Sequence, residues 1–294
     1  MVYLRNKLIK GHNYYYLVQS VRDGSKHRKI EKFIGKERPN DSELNKLKIA
    51  FLLELNSKNW IALTKDDYNF IEKTRLESKD YMNEEQTMDF CINFTYNTNA
   101  IEENTLTKEE TENLLKKDVS NSKSFKDQIE SFSHRKVFME MLNCKKPLTV
   151  VLIKKWHKDL FESTKPEVAG KLRTKNVRVA GFKAPHYLDL NYLLDDFIAW
   201  YKENKNKLHP LELAAMTHLK FVKIHPFMDG NGRMARLLLN YVLNVHGYPM
   251  MTVEYKHREA YYEALDEFDA TQEEEVFLRF VINSYVREYG GVSS

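Results

Sequence analysis

The sequence predicts a mainly α-helical protein with a short β-hairpin set into it and a small, basic, β-containing module at the N-terminus. Three observations carry this. Apolar residues recur at helical spacing almost without interruption from Asp41 onward. Residues 2–34 break that rule, with aromatic and β-branched runs such as NYYYLVQSV. A second break, NVRVAGFKAPHYL at 176–188, has β-branched alternation with a glycine and a proline, which reads as a short hairpin or flap inside a helical bundle.

In the N-terminal module, Asp23-Gly24 is a hairpin turn candidate, and KHRKIEKFIG returns as a further strand. Gly, Pro and Asn in GKERPNDSE mark a linker near 35–42. The expected division is therefore a basic β-rich module at 1–38, a helical region at 41–105 and a core at 106–290. Within the helical part, SELNKLKIAFLLELN carries Leu44, Leu47, Phe51 and Leu55 on one face. Further helices are expected near 65–80, 84–100, 107–117, 123–143, 149–163, 189–205, 209–223, 230–246, 256–268 and 274–288. Thr107 and Thr149 are N-cap candidates, and T-K-E-E from Thr107 fits a capping box. Pro210 suits a helix start, where its missing N–H costs little.

At 294 residues, 42% hydrophobic and 30% charged, the chain has the composition of a soluble globular protein with room for a sizeable core. No run of about 18 apolar residues suggests a membrane span, and the first residues lack the pattern of a secretory leader. Cys91 and Cys144 are too few for a disulfide framework and too isolated for a zinc site, so a reducing, cytoplasmic setting is expected. The whole-chain charge of +4 is unevenly spread: residues 1–40 hold ten Lys/Arg against three Asp/Glu, a net of +7, leaving −3 for residues 41–294. Basic charge interleaved with aromatics is compatible with nucleic-acid contact through residues 1–40. A solvated hairpin that packs on the core or recruits a protein is the plainer alternative. The stretch IKGHNYYYLVQSVRDGSKHRKIEKFIG also resembles short N-terminal segments of some transposases.

The chemistry concentrates in IHPFMDGNGRMAR, Ile224 to Arg236. Proline disfavours helix in the residue before it, so the helix beginning at Pro210 should end near His225. The next helix should begin at Gly230-Asn231-Gly232, where unpaired N–H groups and a partial positive charge favour an anion and glycines permit close approach. Arg233 and Arg236 lie one turn apart, able to reach the same anion. Asp229 precedes this polyphosphate cradle, where a carboxylate can hold Mg²⁺ against phosphates. His225, at the other end of the loop, is the proton acceptor available at neutral pH. Singly, each residue has a plainer use: a helix-end hydrogen bond, a turn, a solvated charge. Their co-occurrence in one loop points to transfer of a phosphorus-centred group onto a hydroxyl.

HPFMDGNGRMAR matches the Fic motif, His-Pro-Phe-x-Asp/Glu-Gly-Asn-Gly-Arg-x-x-Arg, at every fixed position. The resemblance implies a Fic-type helical core and protein AMPylation, in which ATP donates AMP to a Ser, Thr or Tyr hydroxyl. It implies His225 as base, Asp229 as Mg²⁺ ligand, Gly230, Asn231, Gly232 and Arg233 around the phosphates, and Phe227 as an anchor of the loop. AGKLRTKNVRVAGFKAPHY resembles the family's flap, which clamps the nucleotide and aligns the target, with Ala180, Gly181 and Phe182 over the nucleotide. REAYYEALDEFD resembles its adenosine-pocket segment, with Tyr261 and Tyr262 at the paired-tyrosine positions, for which helix packing is the alternative. Asp269 stands where related proteins often carry Asn. The resemblance covers roughly residues 85–290.

TNAIEENTLT, Thr98 to Thr107, is similar to the family's inhibitory helix, Ser/Thr-x-x-x-Glu-Gly/Asn. Thr98 and Glu102 match, while Glu103 replaces the final Gly or Asn. The implied brake is Glu102 pairing with Arg236, taking the group that should grip the γ-phosphate. In some relatives the same glutamate helps to remove AMP, so a bifunctional enzyme is also implied. A donor other than ATP, or a nucleic-acid or protein adaptor with an unused site, remain the alternatives. A homodimer that buries the inhibitory helix is compatible with the sequence, which does not identify the target protein.

Overall fold

The computed structural model describes residues 2–9, 11–23, 26–57, 61–77, 82–117, 119, 124–179 and 182–290. The chain divides into two compact units, Met1–Trp60 and Ile61–Ser294.

The first unit is a three-stranded antiparallel sheet, β1 (Val2–Ile9), β2 (His12–Asp23) and β3 (Lys26–Gly35), in the order β1-β2-β3, followed by α1 (Asp41–Ser57). Leu4 pairs with Leu17, and the register slips once, between Tyr15 and Tyr16. Asp23 pairs with Lys26, so β2 and β3 close across the expected turn, although Gly24 itself lies outside the described residues. The sheet's apolar face, Val2 and Leu17 with Leu4, Ile30 and Ile34, packs on Leu44, Leu47 and Phe51 of α1. Burying those residues is what assigns α1 to the sheet. The division therefore falls at Trp60, beyond the 35–42 linker expected from composition.

The second unit is helical: α2 (Lys65–Glu77), α3 (Glu84–Ile101), α4 (Lys108–Lys117), α5 (Phe125–Leu142), α6 (Val150–Phe161), α7 (Leu190–Asn204), α8 (Pro210–Ile224), α9 (Asn231–Val245), α10 (Arg258–Thr271) and α11 (Glu274–Tyr289). Between α6 and α7 lies the predicted hairpin, β4 (Arg178–Val179) and β5 (Phe182–Lys183), with Val179 paired to Phe182. The caps act as the sequence indicates. Thr107 and Glu110 form a reciprocal capping box at 2.8 and 3.1 Å, and Thr149 Oγ1 accepts the Leu152 N–H at 3.2 Å. His209 caps α8, with Pro210 in its first turn.

Helices α8 and α9 form the centre. Both are buried on nearly every side, as expected of helices enclosed by others. Helices α7 and α11 pack on α8, and α3, α5 and α6 pack on α9. The loop between the central pair is the motif loop, so the whole core holds it in place. Among the described residues no helix is long and apolar enough to cross a membrane.

Candidate active site

His225 ends α8 in the left-handed conformation, φ 50°, its N–H donating to Phe221 O at 3.1 Å. Such backbone is costly for a side chain other than glycine's and turns the chain sharply into Pro226. The His225 Nδ1 lies 3.3 Å from Val222 O, which favours a proton on Nδ1 and leaves Nε2 as the basic nitrogen. Burial holds the pKa of His225 below the ordinary histidine value, partly offset by the Val222 carbonyl, with the Arg173 charge pushing the same way as burial.

Past the turn, Phe227 is fully buried. Asn231 closes the loop over it, its Oδ1 accepting Phe227 N–H at 3.0 Å and its Nδ2 donating to Phe227 O at 2.9 Å. Both polar atoms of Asn231 are thus spent on loop shape, so it is the Asn231 main chain that faces the cradle with Gly230 and Gly232. Gly230 (φ 77°) is required twice over, since a Cβ there would lie 2.2 Å from Phe161 Cε2.

The sharpest feature is at Gly232. A Cβ on it would lie 2.3 Å from Glu102 Oε1 and 3.2 Å from Arg236 Nη1. The Glu102 carboxylate therefore rests directly against the first turn of α9, where the helix attracts an anion. Its Oε1 accepts from Arg236 Nη2 at 2.7 Å, and the same Nη2 reaches Thr98 O at 3.1 Å. Arg236 is 1% exposed. Burial works against its charge, but Glu102 outweighs that and holds its pKa above the ordinary value. The sequence-predicted pair, Glu102 and Arg236, is formed.

Glu102, His225 and Gly232 line one cavity of about 110 Å³ with Val179 and Phe182 of the hairpin and with Tyr261 and Tyr262. Tyr261 is buried, its hydroxyl 3.1 Å from His218 Nε2 and 3.5 Å from Arg236 Nη1, while Tyr262 stays more open and donates to Ile101 O at 3.4 Å. Ala180 and Gly181 lie outside the described residues. At the far end, Asp269 pairs with Lys223 at 2.6 Å, and the Lys223 ammonium sits 4.6 Å from the Phe182 ring centre.

Asp229 is held among cations. Its Oδ1 accepts Gly230 N–H at 2.6 Å, and its Oδ2 pairs with Lys165. Burial pushes its pKa up, but Lys165 and Arg233 more than reverse this and hold it below the usual carboxylate value. Arg233 is buried, donates to Glu130 Oε2 at 2.5 Å and approaches Asp229 Oδ1 at 3.7 Å. Among the described residues no three His, Cys, Asp or Glu side chains converge to hold a metal. The Asp229 oxygen already turned to a cation nevertheless suits Mg²⁺, which commonly binds through one or two carboxylates and completes its shell with phosphate and water.

Four supporting residues had no signal in the motif: Glu130, His157, Lys165 and Arg173. His157, fully buried, accepts Gly170 N–H on Nδ1 at 2.9 Å and meets Asp229 O through Nε2 at 2.9 Å. The proton must then be on Nε2, so the ring is neutral, in keeping with a pKa that burial lowers to about 4. It stacks on Phe227 at 3.7 Å. Arg173 donates from Nε to His225 O at 2.8 Å, from Nη1 to Lys175 O at 2.9 Å and from Nη2 to Pro185 O at 2.6 Å. One guanidinium thereby ties the motif loop to both ends of the hairpin. A polar residue on an otherwise apolar helix face, as His157 is on α6, was the only sequence sign of these supports.

Residues 147–243 match the Fic/DOC family. Over that segment the chain is similar to Fic domains. It is 33% identical over 175 residues to the protein adenylyltransferase Fic of Drosophila ananassae, covering 58% of this chain and 35% of that protein. The chain thus spans about a third of the length of the curated Fic relatives it matches. Its fold superimposes on Fic-1 (residues 134–508) from C. elegans with a TM-score of 0.67 and 26% identity, over 86% of this chain and 78% of that one. A Fic-domain-containing signaling protein from Bacteroides thetaiotaomicron gives a TM-score of 0.65 and 26% identity, over 77% and 93%. The matched segment takes in the hairpin, α8, the motif loop and all but the last two residues of α9.

Proposed function

We propose that the protein transfers AMP from ATP to a Ser, Thr or Tyr hydroxyl of a target protein, and that Glu102 restrains this transfer. The observation that carries the reading is the carboxylate of Glu102 against Gly232. An anion already fills the cradle, and it is held by the arginine that a terminal phosphate would need. The relatives named protein adenylyltransferase Fic support the activity.

In this reading, the target hydroxyl gives its proton to His225 Nε2 as its oxygen attacks the α-phosphorus. The bond from that phosphorus to the bridging oxygen breaks, and pyrophosphate leaves with its electrons. The first turn of α9 and Arg233 hold the phosphate oxygens without needing to rearrange, which is where most of the stabilisation should lie. Mg²⁺, when bound at Asp229, supplies neutralisation of the phosphate charge. Lys223 and Asp269 offer a donor and an acceptor to the base. The hairpin main chain is available to pair with an extended target segment.

While Glu102 holds Arg236, ATP would settle with its α-phosphorus misaligned for attack. The same carboxylate is placed to activate water, which supports AMP removal as a second activity. If Glu102→Ala raises transfer and abolishes removal from a purified modified target, that second role stands; retained removal excludes it. Donor identity is tested with α-labelled ATP, α-labelled UTP and γ-labelled ATP. Label on protein from α-labelled ATP alone is the expected outcome, and label from γ-labelled ATP alone would replace the reading with phosphotransfer.

A second, separate reading concerns the N-terminal unit. Tyr14 and Tyr16 flank Phe33 at 6.0 and 5.5 Å, with Lys7 over Tyr16 at 4.5 Å and Lys36 over Tyr14 at 5.6 Å. Aromatic rings beside cations favour a single-stranded nucleic acid. A salt-sensitive gel shift lost on deleting residues 1–40 would support it, and no shift at low salt would end it.

A further inference from the structure

Lys165 stands between two carboxylates. Its ammonium pairs with Asp229 Oδ2 and lies 3.4 Å from Glu130 Oε1. Glu130 is buried and also takes Arg233 Nη1 at 2.5 Å and the Thr164 hydroxyl at 3.4 Å. Two acids and two bases therefore form one closed, charge-balanced group, with Asp229 at its open edge. The two cations are not equivalent. The Arg233 side chain is 5% exposed and fixed on α9, whereas that of Lys165 is 19% exposed and lies in the turn after α6. A lysine on a flexible four-carbon stem is the cation that can leave.

We propose that Lys165 is a built-in counter-cation of the metal site. In the resting protein it occupies the face of Asp229 that a divalent ion needs, and so keeps free metal out. When a polyphosphate carrying its own metal enters the cradle, Lys165 releases Asp229 and stays on Glu130. Metal is thereby admitted with nucleotide and not ahead of it. The same contact gives Asp229 Oδ2 a cationic partner in the empty site, where Oδ1 has the Gly230 N–H and the Arg233 guanidinium. This rests on Asp229 as the metal ligand.

The test needs no nucleotide, so a failure of AMP transfer leaves its readout untouched. Full-length wild type, Lys165→Met, Lys165→Gln, Lys165→Arg and Lys165→Met/Asp229→Asn are titrated with Mn²⁺, following free Mn²⁺ by electron paramagnetic resonance. Thermal melts verify that each variant folds, and Lys165→Gln serves where the methionine disturbs packing. Removing the ammonium should tighten Mn²⁺ binding by about tenfold or more. Lys165→Arg should behave as wild type, and Asp229→Asn should erase the gain. Equal binding by wild type and Lys165→Met, no binding by either, a gain in Lys165→Arg, or a gain that survives Asp229→Asn would each overturn the proposal.

Discussion

Glu103 follows Glu102 with φ 65°, left-handed backbone in a residue other than glycine. Its N–H still donates to Ala100 O at 3.1 Å and its side chain is exposed, so the cost is one of backbone conformation. Left-handed geometry costs a residue with a Cβ about 1–2 kcal/mol. Glycine removes that cost but gives back about 0.5–1 kcal/mol in unfolded-state entropy. Glu103→Gly should therefore stabilise the protein by about 0.5–1 kcal/mol, raising the melting temperature by about 1–4 °C. Glu103→Asn, tolerant of this conformation and less costly in entropy, should do at least as well. Glu103→Ala separates strain from charge: it removes the carboxylate, keeps the Cβ and should melt as wild type does. The assay is thermal unfolding followed by circular dichroism at one pH and ionic strength. If Glu103→Gly melts at or below wild type, or if Glu103→Ala gains as much, the strain argument fails.

Gly232→Ala should evict Glu102 without releasing activity. The added methyl occupies the space of the carboxylate, so ATP affinity measured by fluorescence should fall about tenfold or more, and Glu102→Ala should not restore it. Transfer should require neutral His225, so its rate in Glu102→Ala protein should rise with pH to a plateau, with the acid limb below the ordinary histidine value. Arg173→Met removes a nearby positive charge that disfavours the imidazolium, so the limb should move to higher pH while the plateau rate falls.

Most of the fold was legible because helical periodicity and caps are local signals. Thr107, Thr149 and Pro210 each mark a helix start that the structure contains. The motif loop was legible for the same reason: histidine, aspartate, glycines and arginines lie within 13 residues. What escaped is long-range. Glu130 and Arg233 are separated by 103 positions, His157 and Asp229 by 72, and Arg173 and His225 by 52. Each is a single polar residue whose meaning arises only when folding supplies its partner. The place of α1 escaped likewise: its apolar stripe is periodic, but periodicity does not say which surface it covers. Conversely, Glu103 departs visibly from the Gly or Asn of the similar segment, and its left-handed backbone supplies the physical reason a glycine or asparagine would suit that position.

In the proposed function, a carboxylate at the C-terminal cap of α3 occupies the phosphate cradle, and His225 acts when it is removed. The direct test incubates wild type, Glu102→Ala and Glu102→Ala/His225→Ala with α-labelled ATP and Mg²⁺, and measures label on protein. Strong labelling confined to the single variant is the predicted result. Equal labelling of wild type and Glu102→Ala would contradict the brake, and labelling that survives His225→Ala would contradict the base.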